Sequence, residues 1–201
     1  MAKVRIYLEG QSDEAFINQY LNHLDFVLND DLVVENLGGK DNLKAKVKAD
    51  FLDNYSSKLS GSKALGYKNV VVFDADDDFD GRLNELTALK AKFEFELFLF
   101  PNDKDNGNLE TLLCEIVNPK HKKILECFDG FRDCISVNPD YRLPDDKTKM
   151  YVYVDTLVEN KWSDGRDIAH PKNRNYQNPD HWNLNHEYLT PLKTFLQNHI
   201  Q

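Results

Sequence analysis

Four short apolar runs punctuate the first half of the chain: Val4–Leu8, Leu32–Leu37, Asn69–Phe73 and Phe95–Phe100. Each is about as long as a strand and rich in β-branched or aromatic residues. Between them the apolar residues change period. Phe16, Ile17, Tyr20, Leu21 and Leu24 follow Ser12 at helical spacing, with Ser12 a suitable N-cap. Gly38-Gly39 ends the second run, Asp41 can cap a helix reaching about Tyr55, and the Ser/Gly/Lys-rich stretch Ser56–Gly66 reads as a connection. Further helices are expected over Gly81–Lys92 and over Leu109–Val117, where Leu109, Leu112, Leu113 and Ile116 share one face.

Strands alternating with helices predict βαβ units and an α/β fold with a mainly parallel four-stranded sheet. The run Asn69–Phe73 is apolar without alternation, as expected of a strand covered on both faces. Residues 1–117 form this α/β core in the sequence reading, and 118–201 a mostly helical extension packed on it. Within the extension, Lys120–Cys134 reads as helix. Met150–Glu159 fits either strand or helix, with the balance toward helix. Ala169–Asn185 reads as an ordered loop, and Asn185 caps a last helix, Glu187–His199, in which Pro191 is tolerated near the first turn.

Parallel sheets bind ligands beyond the carboxyl ends of their strands, so the residues after each run matter most. Glu9 follows the first, with Asp13 four positions on. The third runs into Asp74-Ala75-Asp76-Asp77-Asp78-Phe79-Asp80, five Asp in seven positions. After the fourth comes a polar loop and then Asn108-Leu109-Glu110. Carboxylates crowded at about 4–6 Å raise one another's pKa unless a cation intervenes. Hard divalent cations with oxygen ligands, Mg²⁺ or Mn²⁺, answer that need, and Asp74, Asp76 and Asp78 can project together from an extended strand end. A pair of such ions supports phosphoryl transfer. A solvated acidic turn is the bland alternative. An EF-hand loop fails on its glycine: Gly81 stands two positions late, although Glu85 stands where the last ligand would, and a strand rather than a helix precedes.

Composition changes this picture only in part. The chain has 201 residues, 34 acidic and 25 basic, for a net charge of −9 and a pI of about 5.1. That excludes a generally basic nucleic-acid binder but not an enzyme whose carboxylates hold cations. No apolar run approaches the ~18 residues of a membrane span. The N-terminus enters a strand with no signal-peptide core. Cys114, Cys127 and Cys134 form no CxxC pair and read as free thiols, with Cys114 a small core hydrophobe. A cytoplasmic protein is expected.

Weaker signals remain. Lys40, Lys44, Lys46 and Lys48 make one basic helix face, and Lys120-His121-Lys122-Lys123 a basic flank; both read chiefly as solvated. His170, His181 and His186 share a loop with Arg174, Tyr176 and Trp182, but their spacing and lack of a Cys or carboxylate partner argue against zinc. The Arg and aromatic side chains could stack on a base, or simply anchor the loop. There is no Walker GxxxxGK[ST].

The two strand-end motifs, Ile6-Tyr7-Leu8-Glu9-Gly10 and Val70-Val71-Val72-Phe73-Asp74-Ala75-Asp76, resemble the signature of the Toprim domain shared by topoisomerases, bacterial primases and the OLD nucleases. The resemblance covers about residues 3–117. Glu9 with Asp13, and the later Leu109-Glu110, resemble the OLD-like branch. Through Asn102-Asp103 to Leu113, Pro144 to Lys149 and Trp182 to Leu196, the whole chain looks like a small family of uncharacterised bacterial Toprim-like proteins. The resemblance implies a Rossmann-like fold and a metal-dependent nuclease or phosphotransferase acting on DNA or RNA. Glu9 would be its acid/base. Asp74 and Asp76 would be the principal Mg²⁺ or Mn²⁺ ligands, with Asp78 assisting, and Asp13 with Glu110 a second metal site. A charge-stabilising lysine would come from Lys147 or Lys149. The alternative is a non-catalytic module that binds nucleic acid, nucleotide or a partner protein.

Overall fold

The structure is a computed structural model that describes residues 3–37, 48–157 and 169–200, with the side chains of 48–55 left out. Gly38-Gly39, the Asp41 cap, the side chains of Lys40, Lys44, Lys46 and Lys48, and the end of the Met150–Glu159 segment therefore lie outside the described residues.

The sheet is built from β1 (Lys3–Leu8), β2 (Leu32–Asn36), β3 (Tyr67–Asp74) and β4 (Phe95–Phe100), in the order β2-β1-β3-β4. All three pairings are parallel: Ile6 faces Val34 on one side and Val70 on the other, and Val71 faces Leu97. The helices are α1 (Gln11–His23), α2 (Lys48–Ala64), α3 (Phe79–Phe93), α4 (Leu109–Ile116), α5 (Lys122–Ser136), α6 (Asp146–Thr156) and α7 (Thr190–Ile200). The fold is thus α/β, with a four-stranded parallel sheet between helices and a helical C-terminal region.

The period of two along each strand divides the apolar residues between two cores. Val4, Ile6, Leu8, Val70, Val72, Phe98 and Phe100 join a large cluster with α1 and α4. Tyr7, Val71, Phe73, Phe95 and Leu99 join a smaller one with Leu59 of α2 and Leu86 of α3. The large cluster runs on into the extension through Met150, Tyr153, Tyr176, Trp182, Leu192 and Leu196. Tyr153 Oη donates to the His181 carbonyl at 2.6 Å, and Trp182 packs on both Tyr153 and Tyr176 with ring centres 5.2 and 5.3 Å apart. The apolar core therefore crosses residue 117 without a break.

Several sequence boundaries shift, each for a local reason. The stretch from Ser56 is not a connection: α2 continues to Ala64, because Leu59 and Ser62 are buried there and Asn69 Nδ2 donates to the Leu59 carbonyl at 2.9 Å. Tertiary packing overrides the poor helix propensity of Ser and Gly. The cap of α1 is Gly10, not Ser12; Asp13 Oδ2 accepts the Gly10 N–H at 2.8 Å. Met150–Thr156 is helical, within α6, where Asp145 caps by accepting the Thr148 N–H. The last helix is preceded by a 3₁₀ turn over Glu187–Leu189 capped by His186 rather than Asn185, whose side chain instead meets His23 Nε2 at 3.1 Å.

Candidate functional site

Parallel pairing puts the ends of β1, β3 and β4 at one edge of the sheet. There an open cleft of about 450 Å³ is lined by Glu9, Asp13, Asp74, Glu110 and Lys147, together with Gly10, Gln11, Ser12, Tyr151, His170 and Pro171. Four of the expected carboxylates thus meet one lysine. Glu9, Asp13 and Glu110 are all at least nine-tenths buried.

Backbone donors and one guanidinium hold these carboxylates. Asp13 sits in the first turn of α1, its Oδ2 on the Gly10 N–H. Asp74 ends β3, and its Oδ1 accepts the Leu109 N–H at 3.1 Å, which ties the strand to the start of α4. Glu110 is in the first turn of α4, whose cap Asn108 accepts the Thr111 N–H at 3.1 Å. Acids in a first helical turn also face the positive end of the helix dipole. Glu9 Oε1 accepts from Arg82 Nη2 at 2.5 Å, and Arg82 reaches across from α3, packed over the Phe73 ring at 5.6 Å.

The electrostatics follow from burial and crowding. Burial pushes the Asp13 carboxyl up to about 7; Glu110 and Glu9 add to the rise, while the Gly10 N–H and Lys147 oppose it. Asp74 is raised well above the carboxylate range by burial, then by Asp13, Glu9, Glu110 and Asp76. Burial raises Glu110 too, against Lys147 and Arg174. These groups hold a surplus of negative charge that a proton or a cation must offset.

The acidic loop divides differently from the expectation. Asp76 is half-buried with φ +57°, a left-handed conformation Asp tolerates. Its backbone exchanges both hydrogen bonds with Gly107, at 2.8 and 2.7 Å. Gly107 has φ +137°, and a Cβ there would lie 2.7 Å from Thr111 Oγ1, so the loop that carries Asp76 requires glycine. Asp76 acts on Asp74 electrostatically but does not line the cleft. Asp78 is exposed and caps α3, accepting the Gly81 N–H at 3.0 Å. Asp77 and Asp80 are exposed as well.

The two candidate lysines separate cleanly. Lys147 is exposed on the cleft. Lys149, two residues on, is buried and donates to both oxygens of Asp129 on α5, at 2.7 and 2.8 Å. Of the loop histidines, only His170 lines the cleft; His181 is buried beside Asn178, and His186 serves as a cap. Cys114 is half-buried and its thiol is pushed up to about 12 by burial; Cys127 and Cys134 are exposed. No described helix is long and apolar enough to cross a membrane.

Among the described residues, no three His, Cys, Asp or Glu side chains are already gathered around one point as a metal cluster. The cleft's donor chemistry nonetheless fits hard cations: Asp13, Asp74 and Glu110 offer only oxygen. Sequence reasoning missed Arg82 and Tyr151. Arg82 carries no motif, since only the packing of α3 beside β3 brings it to Glu9.

The fold and cleft define an α/β protein with a carboxylate-lined cleft at the carboxyl edge of a parallel sheet. The chain belongs to the family described as a protein of unknown function, DUF3226, which matches residues 3–201. No curated protein and no solved structure matches it.

Proposed function

We propose that this cleft binds Mg²⁺ or Mn²⁺ and that the protein is a Toprim-type nuclease or phosphotransferase acting on nucleic-acid phosphodiesters. The observation that carries the reading is the convergence of Glu9, Asp13, Asp74 and Glu110 with Lys147 in one cleft. Asp74, Asp13 and Glu110 would hold the cations, with Asp76 adding negative potential behind Asp74. The chemistry such cations would supply when bound is activation of a water and stabilisation of the leaving oxygen. Lys147 draws the phosphate toward the acidic cleft and balances its charge. Glu9 offers a proton acceptor at the strand end, positioned by Arg82.

The test is incubation with single- and double-stranded DNA and RNA in Mg²⁺ or Mn²⁺. Cleavage by the wild type that is lost in Asp74→Asn and reduced in Lys147→Ala supports the reading; turnover no greater than that of Asp74→Asn overturns it.

One observation favours the second reading, a binding module without turnover. Glu9, the group needed as acid/base, is engaged by the Arg82 guanidinium. Under that reading, nucleic acid, nucleotide or a partner protein binds in a metal-dependent way and leaves unchanged.

A further inference from the structure

Behind one wall of the cleft lies a cation that the carboxylates do not account for. Arg174 is 3% exposed. Its Nε donates to the Ala169 carbonyl at 3.1 Å, but Nη1 and Nη2 are fully buried and make no hydrogen bond. The hydroxyl of Tyr176, itself wholly buried, makes no hydrogen bond of ordinary geometry either, and the group it interacts with is the Arg174 guanidinium. The guanidinium lies near enough to Tyr176 to oppose the rise that burial imposes on its phenol. Glu110 feels the same positive charge without hydrogen bonding to it. Buried donors in excess of their acceptors are costly, so native proteins seldom keep such a pair without a further partner.

Their position says what partner suits them. Arg174 lies 5.3 Å from the centre of the Tyr151 ring, and Tyr151, His170 and Pro171 all line the cleft. The orphaned donors therefore stand directly behind the cleft wall, on the side the C-terminal extension contributes. Two guanidinium N–H groups in a fixed fork and one phenolic O–H match a tetrahedral oxyanion. A phosphate monoester presents three terminal oxygens and ends the chain that carries it. An internal phosphodiester has only two free oxygens and continues in both directions, so it is the poorer match for donors set behind the cleft wall.

We propose that Arg174 and Tyr176 form a subsite for a terminal phosphate, so that the cleft takes a phosphorylated nucleic-acid end or a nucleotide rather than the interior of a strand. The subsite deepens the nucleic-acid reading above and rests on it for the substrate class. Tyr151 and His170 form its gate, and Lys147 lies outside it, on the cleft.

The experiment measures binding of a short single-stranded DNA carrying a 5′-phosphate, a 3′-phosphate or hydroxyls at both ends, in Ca²⁺ and again in EDTA. One phosphorylated end is expected to bind roughly tenfold or more tightly than the hydroxyl-ended strand, as charge-assisted hydrogen bonds would supply. Inorganic phosphate should compete. Arg174→Lys and Tyr176→Phe should each lower the preference toward unity. Tyr176→Phe removes a single hydroxyl that makes no hydrogen bond of ordinary geometry, so its melting temperature should stay close to the wild type's and its result stands independently of folding. A ratio near one in both buffers, or a preference that survives both substitutions, overturns the subsite. Failure of the metal reading looks different: affinities equal in Ca²⁺ and EDTA, whatever the end-group ratio.

Discussion

Replacing Asp13 by Asn should make the metal-free protein more stable at neutral and alkaline pH. The carboxyl is 8% exposed and its pKa lies near 7, against an ordinary value of 3.8. The folded chain therefore holds this proton more tightly than the unfolded chain, and stability falls as pH rises between those two values. Above about pH 7 the whole difference counts against folding; at 1.36 kcal/mol per pH unit it comes to about 4 kcal/mol, an upper bound because Asp74 shares the same burden. Asn keeps an acceptor for the Gly10 N–H and removes the charge. A gain of half that bound, about 2 kcal/mol, raises the melting temperature by roughly 4–8 °C in a chain of this size. Thermal melts of both proteins in EDTA at about pH 5 and about pH 8 read the difference. The variant's advantage should be large at the higher pH and small at the lower, where the general effect of net charge is common to both proteins. An Asp13→Asn protein that melts at or below the wild type at high pH refutes the idea that the carboxylates strain the metal-free cleft.

Other expectations follow from single contacts. Arg82→Ala withdraws a guanidinium from the buried Glu9 carboxylate and should cost about 3 kcal/mol in urea unfolding; a loss below a few tenths would show the pair to be incidental. Asp78→Ala should cost about 1 kcal/mol as a lost helix cap while leaving metal uptake intact; lost uptake would restore Asp78 as a ligand. Lys149→Met and Lys147→Met should part company. The first loses about 1 kcal/mol with its Asp129 contact and keeps nucleic-acid affinity. The second keeps stability and loses affinity, as filter binding and melts on the same preparations can show.

Much of the core was legible because strand periodicity is a short-range property. The apolar runs ending at Glu9 and Asp74 were read at nearly their structural bounds, and parallel pairing then carried their carboxylates to one edge. What sequence could not supply was set by contacts distant in the chain. Ser56–Ala64 is helical because Leu59 shares an apolar cluster with Tyr7, far away in the chain, and its carbonyl accepts from the Asn69 side chain. Asp78 caps α3 with the same side chain a ligand would use, so sequence could not tell the two roles apart. Lys147 and Lys149 were indistinguishable until α6 showed one on the cleft and the other against α5. Arg82 reaches Glu9 from a helix with no motif at all, and Arg174, in a loop read only as stacking or anchoring, lies beside Tyr151 of the cleft wall.

The central claim is that the cleft takes up divalent cations through its carboxylates, and the most direct measurement is Mn²⁺ binding followed by the loss of the free-ion electron paramagnetic resonance signal. The wild type should take up Mn²⁺ with release of protons near pH 7, since cation and proton compete for the same oxygens, and Asp74→Asn should bind it far more weakly. Equal Mn²⁺ uptake by the wild type and Asp74→Asn, or none by either, would contradict the claim.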